Sequence, residues 1–135
     1  PFLFSEWLYV LRKDTKIIPG DPNFNNLTFA ANNGSARLAW LKKKYETNEF
    51  KYPVQSTSNP AKTLKMLLGK RYDVALENSE NLNLVLASAG LDRSEFRTFT
   101  ALTKPLAIYF GKTFLSKHPK FLERFNQSME NCLSP

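Results

Sequence analysis

Two short phrases hold the residue types best suited to meeting a small molecule. The first is the turn Asn32-Asn33-Gly34-Ser35-Ala36, which opens a helical pattern. A helix N-terminus exposes backbone N–H groups without intrahelical partners, and its dipole favours an anion. Gly34 would let a ligand approach the backbone closely. The same turn also suits simple capping, with Ser35 as N-cap, and the residues alone leave both uses open. The second phrase is Glu77-Asn78, at the end of the apolar run Val74-Ala75-Leu76. Neighbouring residues on a strand point to opposite faces, so Glu77 and Asn78 cannot replace one another. Asn78 offers hydrogen bonds but no charge, and it serves equally as a helix cap.

Other chemistries are excluded by what is missing. One histidine (His118) and one cysteine (Cys132) cannot build a multi-His or Cys-rich metal centre or an internal disulfide. Ser5, Ser35 and Ser79 lack the Gly-x-Ser-x-Gly setting of a nucleophile. Walker, dinucleotide and HExxH patterns are absent, so neither an enzyme nor a cofactor is expected. Nineteen Lys and Arg against 12 Asp and Glu give a net charge of +7. The basic groups Lys42-Lys43-Lys44 and Lys112, Lys117, Lys120 and Arg124 have acidic residues interspersed and no recognition motif. They read as a solvated face, with no nucleic-acid partner.

The elements that must position these phrases follow from periodicity. With 42% apolar and 23% charged residues, the 135-residue chain has the composition of a globular domain. Strands are expected at Trp7–Arg12, Leu27–Ala31, Phe50–Gln55, Tyr72–Leu76, Phe96–Thr103 and Leu106–Phe110. Helices are expected over Ala36–Tyr45, with Leu38, Leu41 and Tyr45 on one stripe, and from Ser58 or Asn59 to Gly69. Two more are expected from Asn78 or Ser79 to Gly90, and over about Pro119–Cys132. Strands alternating with short helices predict an α/β domain with a mostly parallel sheet flanked by helices, and such sheets bind ligands beyond their carboxyl ends. Asp73 is expected to be structural, hydrogen-bonded to nearby backbone.

Several phrases, in order, resemble the second lobe of bacterial extracellular solute-binding proteins of the amino-acid ABC transporter type, with the type 2 periplasmic-binding-protein fold. Phe4-Ser5-Glu6-Trp7-Leu8-Tyr9-Val10 resembles the lead into the first inter-lobe strand. Phe29 to Ser35 resembles the strand and Gly-Ser turn that open the lobe's first helix. Leu68-Gly69-Lys70-Arg71-Tyr72-Asp73-Val74-Ala75-Leu76 is similar to the family's Leu-x-x-Gly-Arg-x-Asp-Ala phrase. Pro105-Leu106-Ala107-Ile108-Tyr109-Phe110-Gly111-Lys112 resembles the returning inter-lobe strand.

The resemblance implies inter-lobe lead-in at residues 1–12, a ligand-binding lobe at 13–103, and a returning strand and first-lobe helix at 104–135. It implies that Asn33, Gly34, Ser35 and Ala36 meet a ligand carboxylate, with Glu77 and Asn78 near the place where family members hold an ammonium group with an acid. Asn78 stands where that acid is expected, a departure that argues against an α-amino-acid ligand. Trp7, Tyr9 and Tyr109 fall on the inter-lobe strands, lining the cleft or packing the hinge. The implied function is capture of a small polar solute, amino-acid-like or another small anion, for a membrane transporter or receptor. The same fold also serves ligand-sensing domains of signalling or transcriptional regulators. The implied setting is periplasmic or secreted. A chain opening on Pro1 without a basic stretch and long apolar run places any signal peptide, and the rest of the first lobe, outside it. The apolar face of the returning helix, Phe121, Phe125 and Met129, would normally pack on that lobe, so self-association of this chain is expected.

Overall fold

The amino-terminal pattern Trp7-x-Tyr9-x-Leu11 against Leu8-x-Val10 is apolar on both faces, as a strand buried between two layers must be. In a computed structural model that describes residues Phe4–Pro105, this segment is β1 (Phe4–Arg12), an interior strand of the sheet. It is followed by β2 (Phe29–Asn32), α1 (Ala36–Glu46), β3 (Gln55–Thr57), α2 (Pro60–Leu68), β4 (Val74–Asn78), α3 (Leu82–Ala89) and β5 (Phe96–Pro105). The expected strand Leu106–Phe110, with Tyr109, and the expected helix Pro119–Cys132 lie outside the described residues. Glu6–Leu102 form one compact unit; the remaining described residues belong to a second.

The strands make one sheet in the order β3-β2-β4-β1-β5. The parallel part predicted from the sequence is β3-β2-β4, with Ala30 beside Gln55 on one side and beside Ala75 on the other. β1 runs antiparallel to β4, setting Trp7 against Asn78 and Leu11 against Val74. One face buries Trp7, Tyr9, Leu11, Phe29, Val74 and Leu76 with Leu38 and Leu41 of α1. The other buries Leu8, Val10, Ala30 and Ala75 with Leu64 and Leu67 of α2 and Leu82 and Leu86 of α3. The result is a helix–sheet–helix sandwich.

Three expectations are corrected. Phe50–Val54 is a loop rather than a strand: Pro53 has no N–H for a ladder, and Phe50 leaves the sheet to stack on Phe29 at 4.0 Å between ring centres. Tyr45 is exposed at the end of α1, and Trp40 takes its place against the core through edge contact with Trp7. α3 begins at Leu82 rather than at Asn78 or Ser79, because pairing with β1 keeps β4 extended through Asn78 and ties Ser79 N–H to the Glu6 carbonyl.

Asp73 is structural, as expected. Its Oδ2 accepts from both the N–H and the hydroxyl of Thr28 at 3.0 Å, and its Oδ1 from Arg12 Nη2 at 3.3 Å. Arg12 Nη1 also donates to the carbonyls of Leu67 (2.8 Å) and Tyr72 (2.7 Å). One guanidinium therefore ties β1 to the end of α2 and the start of β4, and Asp73 extends the tie to β2. Removing it takes one partner each from the partly buried Leu67 and Tyr72 carbonyls and from Asp73 Oδ1. Arg12→Ala should therefore lower unfolding free energy by about 2–3 kcal/mol, against less than about 0.5 kcal/mol for the neighbouring exposed Lys13→Ala. Urea denaturation of the two variants checks this, and equal losses would remove the clamp from the account.

Candidate functional site

The turn after β2 is built by its own side chains. Gly34 has φ +74, a left-handed conformation that a β-carbon would strain. Ser35 is the N-cap of α1: its Oγ accepts from Leu38 N–H at 3.1 Å and donates to the Asn32 carbonyl at 2.7 Å. Asn33 N–H donates to the Thr57 carbonyl at 2.8 Å, joining the turn to the end of β3. The Ser35 hydroxyl is thus committed to capping. The Ala36 and Arg37 amides, at the first two helical positions, have no acceptor within the helix.

The parallel register carries this turn to the same edge of the sheet as the end of β4. Asn78 is half-buried there, next to Trp7. Its Oδ1 accepts from Glu80 N–H at 2.8 Å, so what it has left to offer is its amide N–H₂. Glu77 points the other way, toward α2 and α3, and is 2% exposed. Burial pushes its carboxyl up to about 7, against the downward pull of the Arg37 guanidinium. The structure thus brings Asn33, Gly34, Ser35, Ala36 and Asn78 to one edge and sets Glu77 beneath it. Trp7 and Tyr9 are packed in the core, 5% and 8% exposed, against Trp40, Phe24 and Phe29. Burial, with the nearby charge of Glu49, raises the Tyr9 phenol to about 12.

Sequence reasoning passed over Arg37. Its signal was present: a cation in the first turn of α1, which holds no acid, opposes the helix dipole and needs another reason to be there. Arg37 Nη2 donates to Asn32 Oδ1 at 2.7 Å. Of the basic run on α1, Lys44 lies 4.5 Å over Trp40 and 3.5 Å from Glu49, while Lys42 and Lys43 are solvated. Among the described residues no cluster of His, Cys, Asp and Glu is placed to hold a metal ion.

No protein-family model and no curated protein matches this sequence. Solved structures do. A substrate-binding protein of an ABC uptake transporter from Streptococcus pneumoniae, with bound histidine, superposes with a TM-score of 0.62 at 21% identity, over 76% of this chain and 43% of its own. A histidine kinase sensor domain similar to periplasmic binding proteins gives 0.60 at 12% identity, over 76% and 43%. Arginine-bound ArgBP from T. maritima gives 0.54 at 15% identity, over 78% and 46%. The fold is that of periplasmic substrate-binding proteins. It is the type 2 form found in amino-acid ABC transporters, and this chain spans less than half the length of each of these three structures.

The buried Glu77 sets a pH dependence. With its carboxyl raised from 4.5 to about 7, the folded chain holds a proton that the unfolded chain has released between those values. Its contribution is fully present below about pH 4.5 and is lost as pH rises through about 7, a change of about 3 kcal/mol. Glu77→Gln removes this titration. Melting curves of the two proteins should diverge from pH 5 to pH 8, the variant gaining on the wild type at high pH. Parallel curves would show that Glu77 is not held as described.

Proposed function

We propose that this chain is the second lobe, with its returning tail, of a solute-binding protein that captures a small polar solute and presents it to a membrane transporter. The supporting observation is the shared edge of β2 and β4, where the first turn of α1 and the Asn78 amide offer hydrogen-bond donors side by side. Donors there suit a carboxylate or another small anionic group. At the end of β4 itself Asn78 is neutral and Glu77 lies buried, so neither offers a solute ammonium an exposed acid. The lobe would bind without covalent chemistry, in a periplasmic or extracellular setting. Its solute would be amino-acid-like through its carboxylate, or another small anion.

A position-specific test exists because Ala36 is the first helical residue. Proline is accepted there and lacks only the N–H, and Ser35 already has the extended conformation (φ −84, ψ 150) that precedes proline. Ala36→Pro should melt within about 2 °C of the wild type while weakening solute binding by about tenfold or more. Calorimetric titration of the full-length protein with a panel of amino acids and small carboxylates reads both arms. Unchanged affinity in a folded Ala36→Pro protein would move the solute away from α1.

The likeness to a histidine kinase sensor domain supports a second reading, in which the same capture drives signalling. Pull-down of the full-length protein with its own membranes distinguishes the two: transport predicts recovery of a permease, and sensing predicts a kinase or regulator.

A further inference from the structure

Glu77 Oε1 is buried without a hydrogen-bond partner, and so is Arg37 Nε. The two side chains feel each other's charge, yet no ion pair joins them, and the guanidinium is held instead by Asn32 Oδ1. The register that sets Ala30 beside Ala75 brings Asn32 beside Glu77 two residues further on. The other polar groups on this face are committed: Tyr72 donates its hydroxyl to the Thr63 carbonyl, and the Thr57 and Thr63 hydroxyls bond each other. Tyr72 is the other titratable group that senses Glu77, and Glu77 raises its phenol further. The core neighbours from β1, α2 and α3 on this face, Leu8, Val10, Leu64, Leu82 and Leu86, carry no charge, and Glu6, two residues before Leu8 on β1, is the acidic residue that shares the face.

A buried carboxyl and a half-buried guanidinium, each with one buried atom unbonded, have a second arrangement within reach. An ionised carboxylate in a dry site draws the nearest cation. We propose that Glu77 is a proton-controlled switch for Arg37. With Glu77 protonated, the guanidinium stays on Asn32; with Glu77 ionised, it pairs with the carboxylate. Asn32 ends β2 and its carbonyl anchors Ser35, so the switch sits directly under the first turn of α1. For solute capture the consequence, which rests on the reading above, is that ionising Glu77 cancels a positive charge beside the anion-receiving amides. Anionic solutes would bind more tightly on the acid side.

The test is NMR of the full-length protein, following the Glu77 carboxyl carbon and the Arg37 Nε–H together from pH 5 to pH 9. Both should titrate with one midpoint, and Glu77→Gln should flatten the Arg37 curve. Arg37→Gln, should Glu77→Gln fail to fold, should raise the Glu77 midpoint. In parallel, succinate should bind about tenfold more weakly at about pH 8.5 than at about pH 5.5. An Arg37 signal that ignores the titration of Glu77 overturns the switch, whatever succinate does. Joint titration without succinate binding at either pH supports the switch and counts instead against anion capture at α1.

Discussion

The seating of β2 between β3 and β4, all three parallel, is the constraint on which the rest depends. It is fixed at the amino end by one partly buried network: Arg12 on two carbonyls and Asp73, and Asp73 on Thr28. With the strand starts held there, the strand ends fall on a common edge, and the chain leaving each end must turn. Those turns carry the capped N-termini of α1 and α2, Ser35 and Asn59, with Asn78 beside them. A clamp at one end of the sheet thereby sets the chemistry at the other.

At that edge, hydrogen bonding and charge are divided between two levels. The upper level is neutral: backbone amides and the Asn78 side chain, with the Ser35 hydroxyl and the Asn78 carbonyl oxygen already committed within the chain. The lower level is charged: Glu77, on the α2 side of the sheet, and Arg37, held on Asn32 at the end of β2. An acid placed at the upper level would invite an ammonium group. Placed one residue earlier on β4, it is taken out of solvent and its own ionisation becomes costly.

The sequence made the elements legible where periodicity and capping agreed. α2 is the clearest case: Asn59 accepts from Lys62 N–H, Pro60 starts the helix, and Leu64 and Leu67 face inward. The pairing partners were less legible, since nothing local says that β1 runs against β4 and thereby keeps Asn78 extended. Phe50 misled because its neighbours alternate like a strand, while its packing on Phe29 is a tertiary choice. In the candidate site, the Gly34-Ser35 turn announced itself by residue type. Arg37 did not, because its meaning depends on Asn32 and Glu77, which only the fold brings near it. The clamp residue Arg12 was hidden for the same reason: its carbonyl partners lie 55 and 60 residues away.

The central claim is that the turn after β2 and the end of β4 act together on one solute. Amide chemical-shift mapping of the full-length protein with a bound small carboxylate tests it most directly. The account predicts that the Ala36 and Arg37 backbone amides and the Asn78 side-chain amide shift together with a single dissociation constant. Shifts confined to the opposite end of the sheet, around Arg12, Lys13 and Lys70, with those three signals unmoved, would contradict it.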